Sequence, residues 1–405
     1  MSLEAGESLA AAAQQVQGYI YPNDLNLWWS VVIVVYPYIT GLVAGAFILA
    51  SLVRVFHVKA LEPTYRFSLL AALAFLLVAP LPLLVHLGLP ELCYEVLMTP
   101  HLSSPMAVFG FVYAWYLMAV LLLELWFDYR QDFVAWSVSD PNPVKRLLYR
   151  IMTLGVTDVS EHALSVDHRL GQFITVVGIP SAFLLHGYVG FIFGSIKANP
   201  WWGTVLMPII FIFSAMVSGI ALMGFLYQLV SKMRRAPIQI SCVDAINKSL
   251  FFMLIVDASI ETLDWVHRLY EAEESLDVLV LLAAGKLFYS FLLVQVLLGT
   301  VVPLVLLAVA IVAVNRLRDS VRRTLGFISC LLVVIGVFAM RWNVVIGGQL
   351  FSKSLRGFTT YKLGLIGSEG LLMAVALLIL PFIILGFLVY FFKPWREKAP
   401  DITGT

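Results

Sequence analysis

Three carboxylates inside a long apolar segment are the side chains of this sequence best suited to chemistry. Asp257, Glu261 and Asp264 lie in the second half of the stretch 244–270, and Arg268 follows them. Spacings of four, three and four residues place all four side chains on one stripe of an α-helix, which we call the acidic stripe. A carboxylate at the centre of a bilayer costs about 2.5–3.5 kcal/mol even on the lowest scales, so it normally faces a cavity or a proton path.

Two interpretations of the acidic stripe stay open at this stage. Buried carboxylates can take up and release protons, so Asp257, Glu261 and Asp264 are candidates for proton transfer. The alternative is a structural set of salt bridges, in which the carboxylates pair with Arg268 or with Lys286 of the next segment.

Histidines and a second polar group extend the set of candidates. His186 lies in an apolar segment, and His267 follows the acidic stripe. Since we expect both segments to run outward, these histidines and Asp264 should converge on the outer side. Arg341, Asn343 and Gln349 end another apolar segment, where they suit interface capping or a proton path.

The elements that must position these residues are membrane helices. The chain has 405 residues, of which 61% are hydrophobic and 13% charged, against about 25% charged in soluble domains. The net charge of +1 gives no indication of nucleic-acid binding. We therefore predict an all-α, polytopic integral membrane protein that contacts the lipid bilayer.

Apolar runs long enough to cross a hydrocarbon core of about 30 Å predict about ten transmembrane helices. They lie near 27–53, 67–88, 106–126, 171–194, 203–230, 245–267, 277–297, 300–315, 324–341 and 369–392. The stretch 276–315 is nearly unbroken, and we place a turn at Gly299–Thr300 ahead of Pro303. A seventh segment that re-enters without crossing is the alternative.

Lys and Arg in the short connections predict the orientation. Basic residues follow the first, third and fifth predicted helices, whereas the intervening segments 89–105 and 195–202 contain only Lys197. The N-terminus is therefore expected outside. With ten crossings, the basic group Arg316–Arg323 falls outside and 341–349 lies at the inner side, whereas nine crossings would bring the basic group inside.

The predicted organisation is one membrane domain with short flanks. An extramembrane segment covers 1–26, the transmembrane domain covers 27–392 with a cytoplasmic loop at 127–169, and a tail covers 393–405. We expect the loop to contain two short amphipathic helices. The segment 1–26 lacks a basic region and compact apolar core typical of a secretory signal.

Cysteine and histidine usage argues against redox cofactors in this chain. Cys93, Cys242 and Cys330 are three in number and far apart in sequence, so they cannot form an ordinary four-cysteine iron–sulfur cluster. The sequence also lacks a recognisable metal-ligand array, and we predict no metal site. A diheme cytochrome b using His86, His186 and His267 is a weaker alternative, since heme needs histidines at matched depth on opposed helices.

Four sequence segments resemble the NrfD/PsrC family of quinone-reactive membrane subunits, which includes polysulfide reductase. They are SSPM at 103–106, HGYVGFIFGSIKANPWWGT at 186–204, GTVVP at 299–303 and RWNVVIGGQ at 341–349. The resemblance covers about residues 25–392. It implies a heme-free helix bundle that binds menaquinone or another quinone near the periplasmic face.

The resemblance also implies site residues and partners. The quinone-binding candidates are His186, Asp264 and His267, together with Asn26, Trp29 and Tyr36 near the start of helix one, where this chain lacks the histidine of the polysulfide reductase pattern. Electrons would be exchanged with a periplasmic ferredoxin-like iron–sulfur subunit. Within the family, residues 341–358 are most similar to the DsrP branch of sulfur metabolism. That resemblance implies a DsrO-like partner and other Dsr-type membrane, cytochrome and cytoplasmic subunits. It also implies a location in a bacterial or archaeal cytoplasmic (inner) membrane.

A second function class stays open from the residues alone. Intramembrane carboxylates also mark secondary transporters and ion-translocating proteins. In that case Asp257, Glu261 and Asp264 would carry ions instead of serving quinone chemistry.

Overall fold

The computed structural model describes residues 27–99, 103–271, 275–352, 355 and 357–395. The predicted segment 1–26, with Asn26, lies outside the described residues, as does 396–405 of the predicted tail. The helices are α1 (Val31–Arg54), α2 (Tyr65–Val78), α3 (Leu81–His86), α4 (Pro105–Trp115), α5 (Leu122–Ser139), α6 (Pro143–Met152), α7 (Glu161–Gly194), α8 (Met207–Met233), α9 (Ile240–Glu271), α10 (Leu276–Ala284), α11 (Val302–Val312), α12 (Asp319–Val345) and α13 (Leu371–Phe392).

Two π-helical segments and short 3₁₀ turns lie between these helices. One π-helix, Tyr116–Leu121, joins α4 to α5, and a longer one, Phe288–Val301, leads into α11. Short 3₁₀ turns lie at Lys59–Thr64, Pro90–Leu92 and Gly347–Gln349, and Glu95–Met98 is a single helical turn.

The prediction of an all-α polytopic membrane protein is confirmed. Within the described part of the chain, eight helices are long and apolar enough to cross a membrane. The 32-residue helix α9 is as long as these, and it contains the acidic stripe. Helix α1 is the centre of the bundle, because every residue from Val31 to Ser51 is buried.

The predicted turn at Gly299–Thr300 is wrong. The π-helix Phe288–Val301 continues directly into α11, and the break lies at Gly285–Leu287 instead. Pro303 has no N–H and cannot complete an ordinary helical ladder, and here the chain changes from π to α geometry without turning. The nine-residue helix α10 is about 14 Å long, too short to cross a bilayer.

One end of the bundle, which we call the Trp29 end, is defined by hydrogen bonds between helix ends and the segments that join the helices. Trp29 exchanges two hydrogen bonds of 3.1 Å with Gln349. Trp202 donates its indole N–H to the Val344 carbonyl (2.6 Å), and Arg268 donates to the Pro200 carbonyl. Arg341, Asn343 and Gln349 therefore end α12 at the Trp29 end. The expectation that they lie on the opposite side from the start of helix one is wrong, because α10 does not cross.

Ion pairs define the opposite end, the Arg54 end. Asp128 accepts from Arg54 (2.9 Å) and from Arg66 (2.6 Å). At the start of α12, Arg322 pairs with Asp244 (2.5 Å) of α9. The basic group before α12 therefore lies on the same side as the basic ends of α1 and α2, as the alternative with nine crossings expects.

The segment 127–169 is more helical than the predicted loop. Helix α5 continues to Ser139, and α7 begins at Glu161. Between them lies one short amphipathic helix, α6 (Pro143–Met152).

Two glycines allow α1 and α8 to cross at backbone contact. A Cβ atom at Gly45 would lie 2.1 Å from the Ala215 carbonyl, and one at Gly219 would lie 2.3 Å from the backbone of Gly45. Gly41 and Gly45 lie four residues apart on α1, a spacing that permits such an approach. This crossing holds α1 against the helix that contributes Ser214 to the polar interior described below.

Replacing Gly45 tests this crossing. We expect Gly45→Ala to destabilise the protein by about 1–3 kcal/mol, because its methyl group overlaps backbone that cannot move alone. The matched control is Gly386→Ala in α13, where an added Cβ meets no atom within 4 Å. The unfolding temperatures of both variants are measured in detergent by heating the protein with a thiol-reactive dye, which labels the buried Cys242 and Cys330 only as the protein unfolds. Equal unfolding temperatures for Gly45→Ala and wild type would contradict the close crossing.

Candidate functional site

Helix α9 presents the acidic stripe to the protein interior. Asp257, Asp264 and Arg268 are buried, with exposures of 6%, 8% and 4%, and Glu261 between them is half-buried. Leu263 on the opposite face is 58% exposed. The predicted helical stripe is thus present, and it faces the interior of the bundle.

A cavity of about 70 Å³ lies beside this stripe. Glu261, Asp264 and Arg268 of α9 form one wall, and Gln295 and Asn343 face them from the long π-helix and α12. The remaining lining is apolar or aromatic: Trp201, Met207, Ile210, Trp265, Leu279, Phe291, Met340 and Val344. The cavity thus combines carboxylates and amides with an aromatic wall.

Three rings form the aromatic wall. Trp201 lies 6.0 Å from both Trp265 and Phe291, and Trp265 lies 5.7 Å from Phe291, measured between ring centroids. Trp265 and Phe291 are half-buried, so this wall reaches the outside of the bundle between α9 and the long π-helix. An apolar molecule in the bilayer would meet the cavity at these rings.

Arg268 and Asp264 fix the connection between α7 and α8 against α9. Arg268 pairs with Asp264 (3.0 Å) and also donates to the Pro200 carbonyl. Thr204 donates its hydroxyl to the other Asp264 oxygen (2.5 Å). The structural alternative of a salt bridge is therefore present for Asp264, whereas Lys286 instead donates to the Thr359 carbonyl (2.8 Å).

A chain of side-chain hydrogen bonds crosses the cavity from Glu261. Gln295 donates to Glu261 (3.2 Å) and accepts from Asn343 (2.8 Å), and Asn343 accepts from Ser290 (2.6 Å). Gln295 and Ser290 both belong to the π-helix Phe288–Val301. π-Helical segments often occur at functional sites, and this one contributes two of the four residues in the chain.

A second, smaller cavity continues from the first toward the bundle centre. Asp257, Glu261 and Gln295 line it, together with Ser214 and Thr300. Glu261, Gln295 and Met340 line both cavities. Asp257 Oδ1 is buried without a hydrogen-bond partner among the described residues. The acidic stripe therefore leads inward from the larger cavity to a carboxylate with free accepting capacity.

Arg341 and His186 form a buried pair beside the second cavity. Both are fully buried, and Arg341 Nη2 lies 3.0 Å from His186 Nε2 and donates to Ser214 Oγ (2.6 Å). Arg341 cannot accept, so Nε2 of His186 is the acceptor and Nδ1 carries the ring proton. That Nδ1 has no partner in the described part of the chain. The charge of Arg341 also attracts Asp257 and Glu261.

The structure does not bring all the predicted residues together. Trp29 stacks on Trp202 (5.1 Å between centroids) and Tyr36 is buried on α1, but neither lines the two cavities. Gln349 ties Trp29 to α12. His267 is half-exposed, lies 3.3 Å from Glu271 and lines neither cavity.

Several polar residues at the site were missed from the sequence. Gln295, Ser290 and Thr204 bond directly to stripe residues or to Asn343, and Ser214 bonds to Arg341. Gln295 could have been found, because it is the one amide side chain in the apolar stretch 276–314. Ser and Thr occur in many membrane helices, so their type gives no comparable signal.

The three histidines considered as heme ligands have different partners. His86 lies 2.6 Å from Glu369, His186 lies against Arg341, and His267 lies near Glu271. Among the described residues, no group of three or more His, Cys, Asp or Glu side chains could hold a metal ion.

Comparison with known proteins places the chain in a family. The family model described as polysulphide reductase, NrfD, matches residues 22–353. The C subunit of selenate reductase from Mesobacillus selenatarsenatis is 29% identical over 78% of this chain and 73% of its own length. The C membrane subunit of a putative dimethyl sulfoxide reductase from Halobacterium salinarum is 29% identical over 53% of this chain and 47% of its own length, and protein NrfD of Escherichia coli is 27% identical over 48% and 58%.

Removing the Arg268 guanidinium tests the contacts around Asp264. We expect Arg268→Gln to destabilise the protein by about 3 kcal/mol, because Asp264 keeps a buried charge without its cation and the Pro200 carbonyl loses its donor. The neighbouring His267→Gln, on the exposed face, is the matched control and should unfold like wild type. Thermal unfolding of the two purified variants measures the difference, and equal midpoints would show that the ion pair contributes nothing.

Proposed function

Because this chain belongs to the NrfD family, we propose that it is the quinone-reactive membrane subunit of a reductase complex. Its relatives are named as subunits of selenate and dimethyl sulfoxide reductases. In this proposal the larger cavity binds the quinone headgroup, and the acidic stripe supplies or removes protons.

The observation that supports this proposal most is the two-sided character of the cavity. Glu261, Gln295 and Asn343 offer both donors and acceptors at its inner side, while Trp265 and Phe291 face the lipid side. A quinone has polar carbonyl groups on an apolar ring and carries an apolar tail. The cavity volume of about 70 Å³ is below the roughly 150 Å³ that holds benzene, so the carbonyl edge would enter while the rest of the ring lies between the aromatic side chains.

Quinone reduction to quinol takes two electrons and two protons, and the residues around the cavity suit the proton part. Amide N–H groups of Gln295 or Asn343 can donate hydrogen bonds to a carbonyl oxygen. Glu261, bonded to Gln295, can exchange a proton at its carboxylate, and Asp257 extends the route inward by about 6 Å of helix rise. Arg341 stabilises negative charge on these carboxylates through its own positive charge.

Electrons must come from or go to another subunit in this proposal. The three cysteines are far apart in sequence, and two of them, Cys242 and Cys330, are buried. We infer an iron–sulfur partner that docks at the Trp29 end, next to the larger cavity. By the positive-inside rule, the basic Arg54 end is cytoplasmic, so the Trp29 end is periplasmic in a cytoplasmic membrane. More specifically, we propose that the partner is a DsrO-like ferredoxin subunit within a Dsr-type assembly.

Photolabelling tests the location of the quinone site directly. A photoreactive quinone analogue added to the purified complex should label peptides that contain Trp265 or Phe291, and excess menaquinone or ubiquinone should suppress that label. Labelling at other helices, or labelling that excess quinone leaves unchanged, would contradict the proposed site. The readout does not depend on electron transfer by the partner subunit.

Graded substitutions along the acidic stripe test the proton route. Asp264→Asn and Glu261→Gln should lower quinone turnover by about 10²-fold or more, since they remove proton-exchanging groups at the headgroup. Asp257→Asn lies deeper, so it should leave quinone affinity within about twofold and slow turnover only. Thr262→Ala, on the exposed face of α9, is the matched control. Quinone affinity and turnover are measured on the purified complex, and wild-type turnover in all three variants would make the stripe purely structural.

Substitution of His186 tests the Arg341 pair. His186→Ala removes the acceptor beside Arg341 and the unpartnered Nδ1 donor, so we expect quinone turnover to fall well beyond twofold while the complex still assembles. A twofold change corresponds to only about 0.4 kcal/mol of barrier and would show that His186 serves packing alone. A native gel that shows which subunits are assembled, together with turnover of the same preparation, separates these results.

A further inference from the structure

A short helix at the Arg54 end carries an uncovered apolar face that plays no part in the proposed quinone chemistry. On α6, the exposed fractions of Val144, Leu147 and Ile151 are 74%, 59% and 61%. At about 100° per residue, these three side chains fall within one arc of the helix. Arg146 and Arg150 are also exposed and occupy the neighbouring arc. The outward half of α6 is therefore divided into an apolar arc and a basic arc.

Contacts on the inward half place α6 at the ends of the membrane helices. Tyr149 stacks on Phe133 of α5 (6.4 Å between centroids) and donates its hydroxyl to the Phe391 carbonyl (2.8 Å) at the end of α13. Trp126 of α5 donates to the Met152 carbonyl (2.9 Å). Helix α6 thus folds back along α5 toward the span instead of extending into the solvent.

Nearby ion pairs indicate the depth of this helix. Trp126, which binds the end of α6, lies only two residues from Asp128, the partner of Arg54 and Arg66. These charges lie at the ends of α1 and α2, where apolar span gives way to polar connection. A helix at this depth has lipid acyl chains on one side and headgroups on the other.

The basic charge of α6 indicates which kind of molecule binds its outer face. The helix contains Lys145, Arg146 and Arg150 and no acidic residue. Lys145 is directed to the protein, with its ammonium 3.6 Å from the Tyr390 ring centroid. Arg146 and Arg150 therefore remain to bind an external anion, and the apolar arc lies directly beside them. One phospholipid molecule would match both features, because its phosphate can bind the arginines while its acyl chain contacts the apolar arc.

We propose that α6 is an interfacial helix that binds an anionic phospholipid at the Arg54 end of the bundle. Arg146 and Arg150 bind the headgroup phosphate, and Val144, Leu147 and Ile151 contact the acyl chains. The site is separate from the proposed quinone cavity, since it lies at the other end of the bundle.

Native mass spectrometry of the delipidated protein, titrated with phosphatidylglycerol or phosphatidylcholine, tests this proposal. We expect wild type to prefer phosphatidylglycerol and Arg146→Gln/Arg150→Gln to weaken its binding by about tenfold, with phosphatidylcholine binding unchanged. The matched control, Arg316→Gln/Arg318→Gln, removes two exposed arginines at the same end and should stay within twofold of wild type. Leu147→Gln/Ile151→Gln should weaken binding of both lipids.

Three results would overturn the proposal. The first is an equal affinity of wild type for phosphatidylglycerol and phosphatidylcholine. The second is a phosphatidylglycerol affinity of Arg146→Gln/Arg150→Gln within twofold of wild type. The third is a loss of phosphatidylglycerol affinity in Arg316→Gln/Arg318→Gln as large as that in Arg146→Gln/Arg150→Gln. If the α6 variant keeps its lipid but loses a protein subunit that co-purifies with wild type, the face binds a protein instead. Should the double variant yield too little protein, Arg146→Gln and Arg150→Gln alone should each weaken phosphatidylglycerol binding by about threefold.

Discussion

The burial of charge inside an apolar bundle is the constraint on which the arrangement of this protein depends. Arg341 is completely inaccessible to solvent, and an isolated charge in such surroundings would cost many kcal/mol. Its compensation comes from three other helices: His186 on α7, Ser214 on α8 and the carboxylates of α9. The polar interior thus determines which helices must be neighbours, and the apolar surfaces around it pack accordingly.

Close backbone contacts make this polar interior possible. Side chains as short as Asn343 and Gln295 can meet across two helices only when the helix axes are near each other. Gly299 of the long π-helix and Gly336 of α12 provide that approach, since a Cβ atom at Gly299 would lie 2.5 Å from the Gly336 Cα. The Gly45–Gly219 contact does the same for α1 and α8. The hydrogen bonds between these helices therefore depend on the glycines that let the helix axes approach each other.

The sequence predicted local features of the site better than its long-range contacts. The spacing of Asp257, Glu261 and Asp264 was sufficient to place them on one stripe of the helix, because helical periodicity depends only on neighbouring residues. The wrong turn at Gly299–Thr300 came from reading Pro303 as a helix start, whereas the chain continued through π geometry. That error of one crossing put Arg341, Asn343 and Gln349 at the wrong end. The Gln295–Asn343 and Ser214–Arg341 bonds join residues 48 and 127 positions apart, and no local pattern encodes such pairs.

Helix α9 unites the two properties that a site for an amphipathic substrate requires. Its buried face carries the acidic stripe, while its outer face is apolar enough to contact lipid, with Leu263 and Val266 at 58% and 50% exposure. Trp265 lies between these two faces and lines the cavity. A substrate that moves laterally along the bilayer would therefore reach the carboxylates without first entering water. The break at Gly285–Leu287 has a related consequence, because it keeps α10 at the Trp29 end, where Leu279 closes part of the cavity while the side between Trp265 and Phe291 stays accessible.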